Sequence, residues 1–524
     1  MSEHRDGATL SDDLLLRADV VVVGSGPAGA TVAHGLRGRG ARVVVVETGA
    51  WRAPSSFPPG AFASMARDYR AMGAQVTLGN APMPVLQGVM VGGGSPINGA
   101  ICWRMPHDVH AAWVRADPAL ADALPLDAIE RATDLLEVLL DVRPTDPAVA
   151  GRKAELMALG ADALGLEHRP IRRNVTGCEG LGRCIQGCPN GRKNSVDRVM
   201  LRPASASSAA IAPATAPATA AHEHGGGSIA VVSQTQVGRV LTVGSRAVGV
   251  EARAHAGGRV RVEADAVVLA ASVVQTPALL LASGIGHGPV GRHFQCHPGV
   301  AVAGRFVEPV RMWQGATQGH EVIGLRHEGL KFETLGFGLA VLASRLRGVG
   351  SELADNVAAM AHWLDWGVAI KSDAEGRVRV VRGLPVVQYS PSAADVARMR
   401  RGARVLGDML FAAGADSVDP GVAGFSRDLR SPRELAPLEH SGPRRAAAFH
   451  GAITHLFGTC RLGSDPGRSV VRPDFRHHAI DRLYVADASV FPTNLGVNPQ
   501  LPIMALAWLA AGHIAAALQG GAAR

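Results

Sequence analysis

Aromatic residues are scarce in this 524-residue chain, with 12 Phe, 7 Trp and 3 Tyr. Surfaces that bind single-stranded nucleic acid stack bases on such rings, so the shortage weighs against one. Blocks of five or more basic residues are also lacking. The excess of 53 Lys and Arg over 45 Asp and Glu is spread along the whole length, whereas nucleic-acid binding concentrates basic charge. No nucleic-acid partner is expected. Lysine is nearly missing, at four of the 53 basic residues, a skew that with the alanine excess reads as coding bias. Met1 to Ala18 lacks the basic start, apolar stretch and cleavage site of a secretory signal. No uninterrupted apolar run reaches the roughly 18 residues of a membrane span. Pro502 to Gln519 comes nearest, but His513 interrupts it. A cytoplasmic protein with no membrane span is therefore expected. Six cysteines are too few for a disulfide framework at this length, and three of them cluster, which points to metal or redox chemistry instead.

What is present begins with Ala18-Asp19-Val20-Val21-Val22-Val23, a continuous run expected of a strand buried on both faces of a parallel sheet. It leads into Gly24-Ser25-Gly26-Pro27-Ala28-Gly29, a G-x-G-x-x-G pattern. A helical stretch follows through Val32, Ala33 and Leu36, then a break at Gly38 to Gly40 and a second buried strand, Val43 to Val46, ending at Glu47. Gly24 permits the tight turn, Gly26 lets the backbone approach a pyrophosphate, and Gly29 lets helix and strand pack closely. The helix N-terminus, with Pro27 and Ala28, offers free N–H groups to phosphate. Glu47 stands where a carboxylate would bond ribose hydroxyls. With 63 glycines in the chain, the pattern alone would be weak, but strand, helix, second strand and terminal acid agree on a dinucleotide site. The motif does not separate FAD from NAD.

Further blocks resemble one family. Gly92-Gly93-Gly94-Ser95-Pro96-Ile97-Asn98, leading through Arg104 to Trp113, resembles the flavin-contacting signature of the glucose–methanol–choline (GMC) oxidoreductases. The second family signature recurs from Ser272 to Gly286, with Val273 where a small residue is usual. The third match runs His455-Leu456-Phe457-Gly458-Thr459-Cys460, then Tyr484-Val485-Ala486-Asp487-Ala488, then Asn498-Pro499. These blocks stand in the family's order and span residues 19 to 518. The resemblance implies an α/β fold, with a discontinuous Rossmann-like FAD lobe and an α+β substrate lobe built on an antiparallel sheet. The expected division is an N-terminal tail over 1–18, FAD lobe over 19–120 and 229–300, and a connecting region over 121–228. A substrate lobe over 301–450 and a closing segment over 451–524 complete it. Among flavin-contacting positions it implies Gly92, Gly93, Asn98, Val237, Asp487, Ala488 and Pro499. Ile97 stands where some members attach the flavin to a histidine, so noncovalent FAD is expected. Locally, Phe332 to Ala343 and Val378 to Gln388 read as strands, Gly257-Gly258 as a hairpin, and Ser392 to Ala413 as a helix.

Oxidising an alcohol removes a proton from oxygen and a hydride from carbon. The flavin takes the hydride, so the protein must supply a base. Histidine suits this, with an ordinary pKa of about 6.5. The family's catalytic histidine maps onto His455 and its partner onto Asn498, which would hydrogen-bond the substrate oxygen. A random one of the 20 histidines is more often a packed core residue; motif context singles out His455, and His450, His477 and His478 have none. The expected activity is oxidation of a small-molecule alcohol, with oxygen or a redox partner as electron acceptor. The alternatives are an FAD-containing lyase of the cyanohydrin-cleaving type and a dehydrogenase subunit passing electrons through an iron–sulfur cluster to a cytochrome. A non-catalytic flavin subunit is disfavoured by the intact His455 and Asn498.

The clustered cysteines, Cys178, Cys184 and Cys188, have spacing C-x5-C-x3-C among glycines 177, 180, 182 and 187. They resemble both iron–sulfur runs and the cluster loop of some bacterial family members, which implies a candidate iron–sulfur ligand set. Zinc is less favoured, because three ligands leave its tetrahedron open; a glycine-rich loop whose thiols are merely packed or form one disulfide is the bland alternative. Residues 204 to 227 form an Ala/Ser/Pro/Thr tract that reads as a surface insertion.

Overall fold

A computed structural model describes residues 3–202 and 226–522. The expected insertion at 204–227 lies outside these residues except for its last two positions.

The valine-rich segments Val20–Val23 and Val43–Val46 are buried on both faces, as their lack of alternation predicts. They belong to an eight-stranded sheet in the order Glu3–Asp6, Ser228–Ser233, Arg42–Val46, Leu14–Val23, Arg259–Leu269, Arg246–Ala254, Thr235–Val243. The first five strands are parallel, and the last three form an antiparallel meander. Leu483–Val485 adds a parallel pairing on the free side of Val267–Leu269. Strands from well-separated parts of the chain thus build one lobe.

Within the expected tail, residues 3–6 and 14–18 belong to the sheet. Glu3–Asp6 pairs with Ser228–Ser233, and the central strand starts at Leu14. Its first half alternates, with Leu15 and Arg17 exposed and Leu14, Leu16 and Ala18 turned inward. A half-covered strand has this period-2 pattern, and it carries no continuous apolar run.

The last helix, Gln500–Ala522, is long and apolar enough by length and composition to cross a membrane. His513 does not interrupt it. Leu501, Met504, Ala507, Ala511 and Ile514 are fully buried, and the helix packs against Pro27–Arg37 and Leu126–Leu139.

The second sheet has nine strands, paired antiparallel throughout. Its spine is the 14-residue strand Arg292–Arg305, which Gly451–Phe457 joins. Register between them shifts around Cys296 and Pro298, a bulge that re-aims the side chains beside it. The sheet also recruits His168–Pro170, so it extends on both sides of the expected 301–450 boundaries. Phe332 to Ala343 is not one strand: it ends at Thr334, and after Gly336 and Gly338 the chain forms the short helix Leu339–Ala343. Val378 to Gln388 folds back as a hairpin, because Arg382 and Gly383 both adopt positive φ, +51° and +78°, as a two-residue type I′ loop requires. The helix Ala393–Ala412 starts at a reciprocal capping box between Ser392 and Asp395.

Candidate active site

At the C-terminal end of Leu14–Val23, Gly24 turns the chain with φ +96°. A Cβ on Gly29 would fall 2.0 Å from the Gly24 carbonyl oxygen, so only glycine lets the helix Pro27–Arg37 sit this close to the turn. Gly26 differs: the nearest atom to a Cβ there is Gly93 Cα at 3.9 Å. It faces open space at the helix N-terminus, where Pro27 and Ala28 begin the first turn and its N–H donors have no intrahelical acceptor. A Cβ on Gly93 would reach within 2.7 Å of Gly26 Cα, so the two glycine-rich segments meet backbone to backbone. Ser25 joins them. Its hydroxyl donates to Glu47 Oε2 at 2.7 Å and accepts from the Gly92 N–H at 3.1 Å. Glu47, expected on a ribose, is engaged by the protein itself: Oε2 also accepts from Ser25 N–H and Oε1 from Gly49 N–H, both at 2.9 Å. This open, glycine-lined cradle at a helix N-terminus fits a dinucleotide pyrophosphate.

The remaining expected contacts lie around the same cradle or within the sheet. Asp487 accepts from Ser272 N–H, Thr276 Oγ1 and Ser489 N–H, and it ties the helix Ser272–Ala282 to the turn through Ala488. Burial raises the Asp487 pKa. Asn98 accepts from Ala100 N–H and donates to Gln500 Oε1, which links the Gly92–Asn98 segment to the helix that follows Pro499. Val237 lies within an antiparallel strand opposite Ala252.

On the antiparallel side, His455 and Asn498 come together, with Asn498 Nδ2 3.4 Å from His455 Nε2. Asn498 is buried, whereas His455 is half-buried. Burial lowers the His455 pKa to about 4; nearby Glu333 opposes this and Lys331 adds to it, so the ring is neutral at ordinary pH.

Two neighbours escaped the sequence reading. His297 Nδ1 lies 3.1 Å from His455 Nδ1. Its Nε2 stands between an acceptor, Asn494 Oδ1 at 3.2 Å, and a donor, the Gly496 N–H at 2.9 Å. Lys331, fully buried, donates to Asn498 Oδ1 at 2.8 Å and pairs with Glu321 at 2.9 Å and with Glu333. No motif marks His297. For Lys331 the available signal was the near absence of lysine elsewhere.

The thiols of Cys178, Cys184 and Cys188 line one pocket with Arg173 and Lys193. They do not assemble the expected iron–sulfur ligand set. Among the described residues no group of three or more His, Cys, Asp or Glu is placed to hold a metal ion. Arg173 lies against two of the thiols instead: its guanidinium donates to Cys184 Sγ at 3.1 Å and to Cys178 Sγ at 3.9 Å. Lys193 fastens this loop to the Gly92–Asn98 segment by donating to Pro96 O, Asn98 O and Cys184 O.

A dinucleotide cradle beside a neutral, partly accessible imidazole is the arrangement of an oxidoreductase. The chain belongs to the GMC oxidoreductase family of FAD-dependent enzymes: the family's N-terminal model matches residues 18–299 and its C-terminal model residues 372–507. It is 35% identical over 518 residues to an uncharacterized GMC-type oxidoreductase of Mycobacterium tuberculosis, covering 96% of this chain and 77% of that protein. It is 25% identical to the long-chain-alcohol oxidase FAO4A of Arabidopsis thaliana, covering 96% of this chain and 69% of the relative. Its fold is similar to that of formate oxidase from Aspergillus oryzae, with a TM-score of 0.69 at 17% identity over 97% of this chain and 99% of that one.

Proposed function

We propose that the protein oxidises an alcohol to the carbonyl compound, with His455 as the proton acceptor and Asn498 as the partner of the substrate oxygen. The observation that carries this is the 3.4 Å approach of the Asn498 amide to His455 Nε2, which sets a hydrogen-bond donor and a proton acceptor side by side. FAD, when bound, supplies the acceptor for the hydride. The chain's own residues do the rest. Asn498 Nδ2 donates to the hydroxyl oxygen and fixes the carbinol. His455 Nε2 receives the O–H proton as the C–H bond breaks, and Asn498 stays bonded to the oxygen as it becomes a carbonyl. A low pKa keeps His455 unprotonated and ready for this role.

The "oxidase" in the relative's name supports molecular oxygen as the electron acceptor. All six cysteines are free thiols, which suits the reducing cytoplasm we propose as the location. The test is an anaerobic screen of long-chain, aromatic, sugar and sterol alcohols against the yellow holoenzyme. Loss of the oxidised flavin's visible absorbance with one class is expected. Turnover of a cyanohydrin with unbleached flavin would replace this reading with the lyase.

A further inference from the structure

We propose that Lys331 is a positioning residue: by fixing the orientation of the Asn498 amide, it selects the tautomer of His455 that can accept a proton. The proposal rests on the reading of His455 as the base.

An ammonium group has donors only. The Asn498 atom 2.8 Å from Lys331 Nζ is therefore the carbonyl oxygen, and a flipped amide would set NH2 against NH3⁺. Nδ2 must then face His455 Nε2, where its N–H favours a bare ring nitrogen. The far end of the chain is fixed independently. Asn494 Nδ2 donates to the backbone carbonyl of Ser372 at 2.7 Å, so its Oδ1 is the atom facing His297 Nε2. Donors then run in one direction: Lys331 to Asn498, Asn498 to His455 Nε2, His455 Nδ1 to His297 Nδ1, and His297 Nε2 to Asn494.

The Gly496 N–H, 2.9 Å from His297 Nε2, favours the reverse arrangement. There His297 carries its proton on Nδ1 and His455 on Nε2, and no base faces the substrate. Two tautomeric states thus compete, and the ammonium acts on only one side of the balance.

Lys331 is held for this task. Glu321 and Glu333 grip it, and Trp103 Nε1 and Arg169 in turn donate to Glu321 at 2.8 and 2.9 Å. Burial disfavours the charge, but the two carboxylates overcome it and raise the Lys331 pKa above the ordinary value. Three of the chain's four lysines, Lys153, Lys193 and Lys331, are fully buried. Where arginine fills nearly every other cationic position, a compact point charge persists at Lys193 and Lys331, where several oxygens converge, a geometry the planar guanidinium fork does not match.

The first test reads ring ¹⁵N shifts of histidine-labelled holoenzyme without substrate, with His455 assigned from His455→Gln. Protonated Nδ1 and bare Nε2 are expected, and a protonated Nε2 in the wild type overturns the proposal. The second compares Lys331→Met, Lys331→Arg and the charge-balanced pair Lys331→Met/Glu333→Gln, each checked for FAD content and melting. Both Met variants should move the His455 proton to Nε2 and slow flavin reduction roughly tenfold or more with little change in substrate affinity, short of losing the base itself. Lys331→Arg should recover part of the rate. The charged or titratable groups facing His455 are His297, Lys331 and Glu333, with Lys371 behind His297. Removing only the ammonium should therefore raise the pH at which reduction fails. A merely structural lysine would slow reduction equally at every pH and leave the tautomer alone, and wild-type kinetics in the balanced pair overturns the proposal. If the tautomer is as expected but no alcohol reduces the flavin, the functional reading fails and the positioning role stands.

Discussion

His297 and His455 meet Nδ1 to Nδ1 at 3.1 Å, across the point where the strands Arg292–Arg305 and Gly451–Phe457 lose register. One proton serves both nitrogens, so the tautomer of either ring dictates that of the other. Burial holds the His297 pKa well below the ordinary histidine value, helped by the repulsion of His455. The pair therefore stays neutral, and His455 is the more accessible of the two rings.

His455→Ala should keep its yellow FAD while flavin reduction slows by roughly 10²-fold or more, the usual worth of a general base. His297→Phe keeps the ring's bulk and removes the acceptor for His455 Nδ1–H, and should cost roughly tenfold by leaving the tautomer unset. Rapid-mixing reduction under anaerobic conditions measures both. Wild-type rates in His455→Ala would sink the assignment.

Acid should destabilise the protein earlier than its carboxylates dictate. Burial lowers the pKa of His320 and of His477 to about 4 and holds that of His297 well below the ordinary histidine value. The unfolded chain binds these protons near pH 6.5, so it gains protons first. Stability is complete above about 6.5 and declines as pH falls toward 4, by up to about 3 kcal/mol for a histidine shifted this far. Glu375, whose pKa is held at about 2 chiefly by its bond from His293, loses its contribution only at lower pH. Melting of the holoenzyme at about pH 7 and about pH 5 checks this; an equal or higher melting point at the lower pH contradicts it.

Two glycines of one motif should fail in different ways. Gly29→Ala drives a methyl group into the Gly24 carbonyl at 2.0 Å, so helix and turn must separate, and the apoprotein should melt at a clearly lower temperature. Gly26→Ala meets nothing closer than 3.9 Å, so the apoprotein should melt like the wild type. Its methyl group stands in the open space at the helix N-terminus, and FAD affinity should drop roughly tenfold or more. Titrating apoprotein with FAD beside melting curves separates the two; equal melting points for both variants would contradict the packing argument.

Both features were legible in the sequence because they are local. The strand–turn–helix around Gly24 is written in consecutive residues, and so are the family blocks that placed His455 and Asn498. The polar network behind them was not legible. Lys331, His297 and Asn494 come from three separate segments; strand pairing and a register break place the first two, and hydrogen bonds to Gln295 and Ser372 hold Asn494 beside them. Glu47 and Asp487 stand at positions the motifs mark, but spacing does not show that their hydrogen bonds run to Ser25, Gly49, Ser272 and Thr276. The cysteine spacing misled for a related reason. It records which thiols lie near one another, and it says nothing of the Arg173 guanidinium that lies against two of them.

That guanidinium has a chemical consequence. Burial would push the Cys184 thiol up, but Arg173 and Lys193 outweigh it and bring it down to about 7. Cys102 moves the other way, to about 12, and Cys296 and Cys460 also rise, each through burial. The thiolate is the nucleophile, and Cys184 is half-buried whereas these three are fully buried. Iodoacetamide should therefore alkylate Cys184 well before Cys102, Cys296 or Cys460, with a rate half-maximal near pH 7. Arg173→Met should move that midpoint upward, since the cation that stabilises the thiolate is gone while burial remains. Peptide mass spectrometry across a pH series reads both quantities. Labelling of Cys184 no faster than Cys102, or a midpoint unmoved in Arg173→Met, would mean the guanidinium does not govern this sulfur.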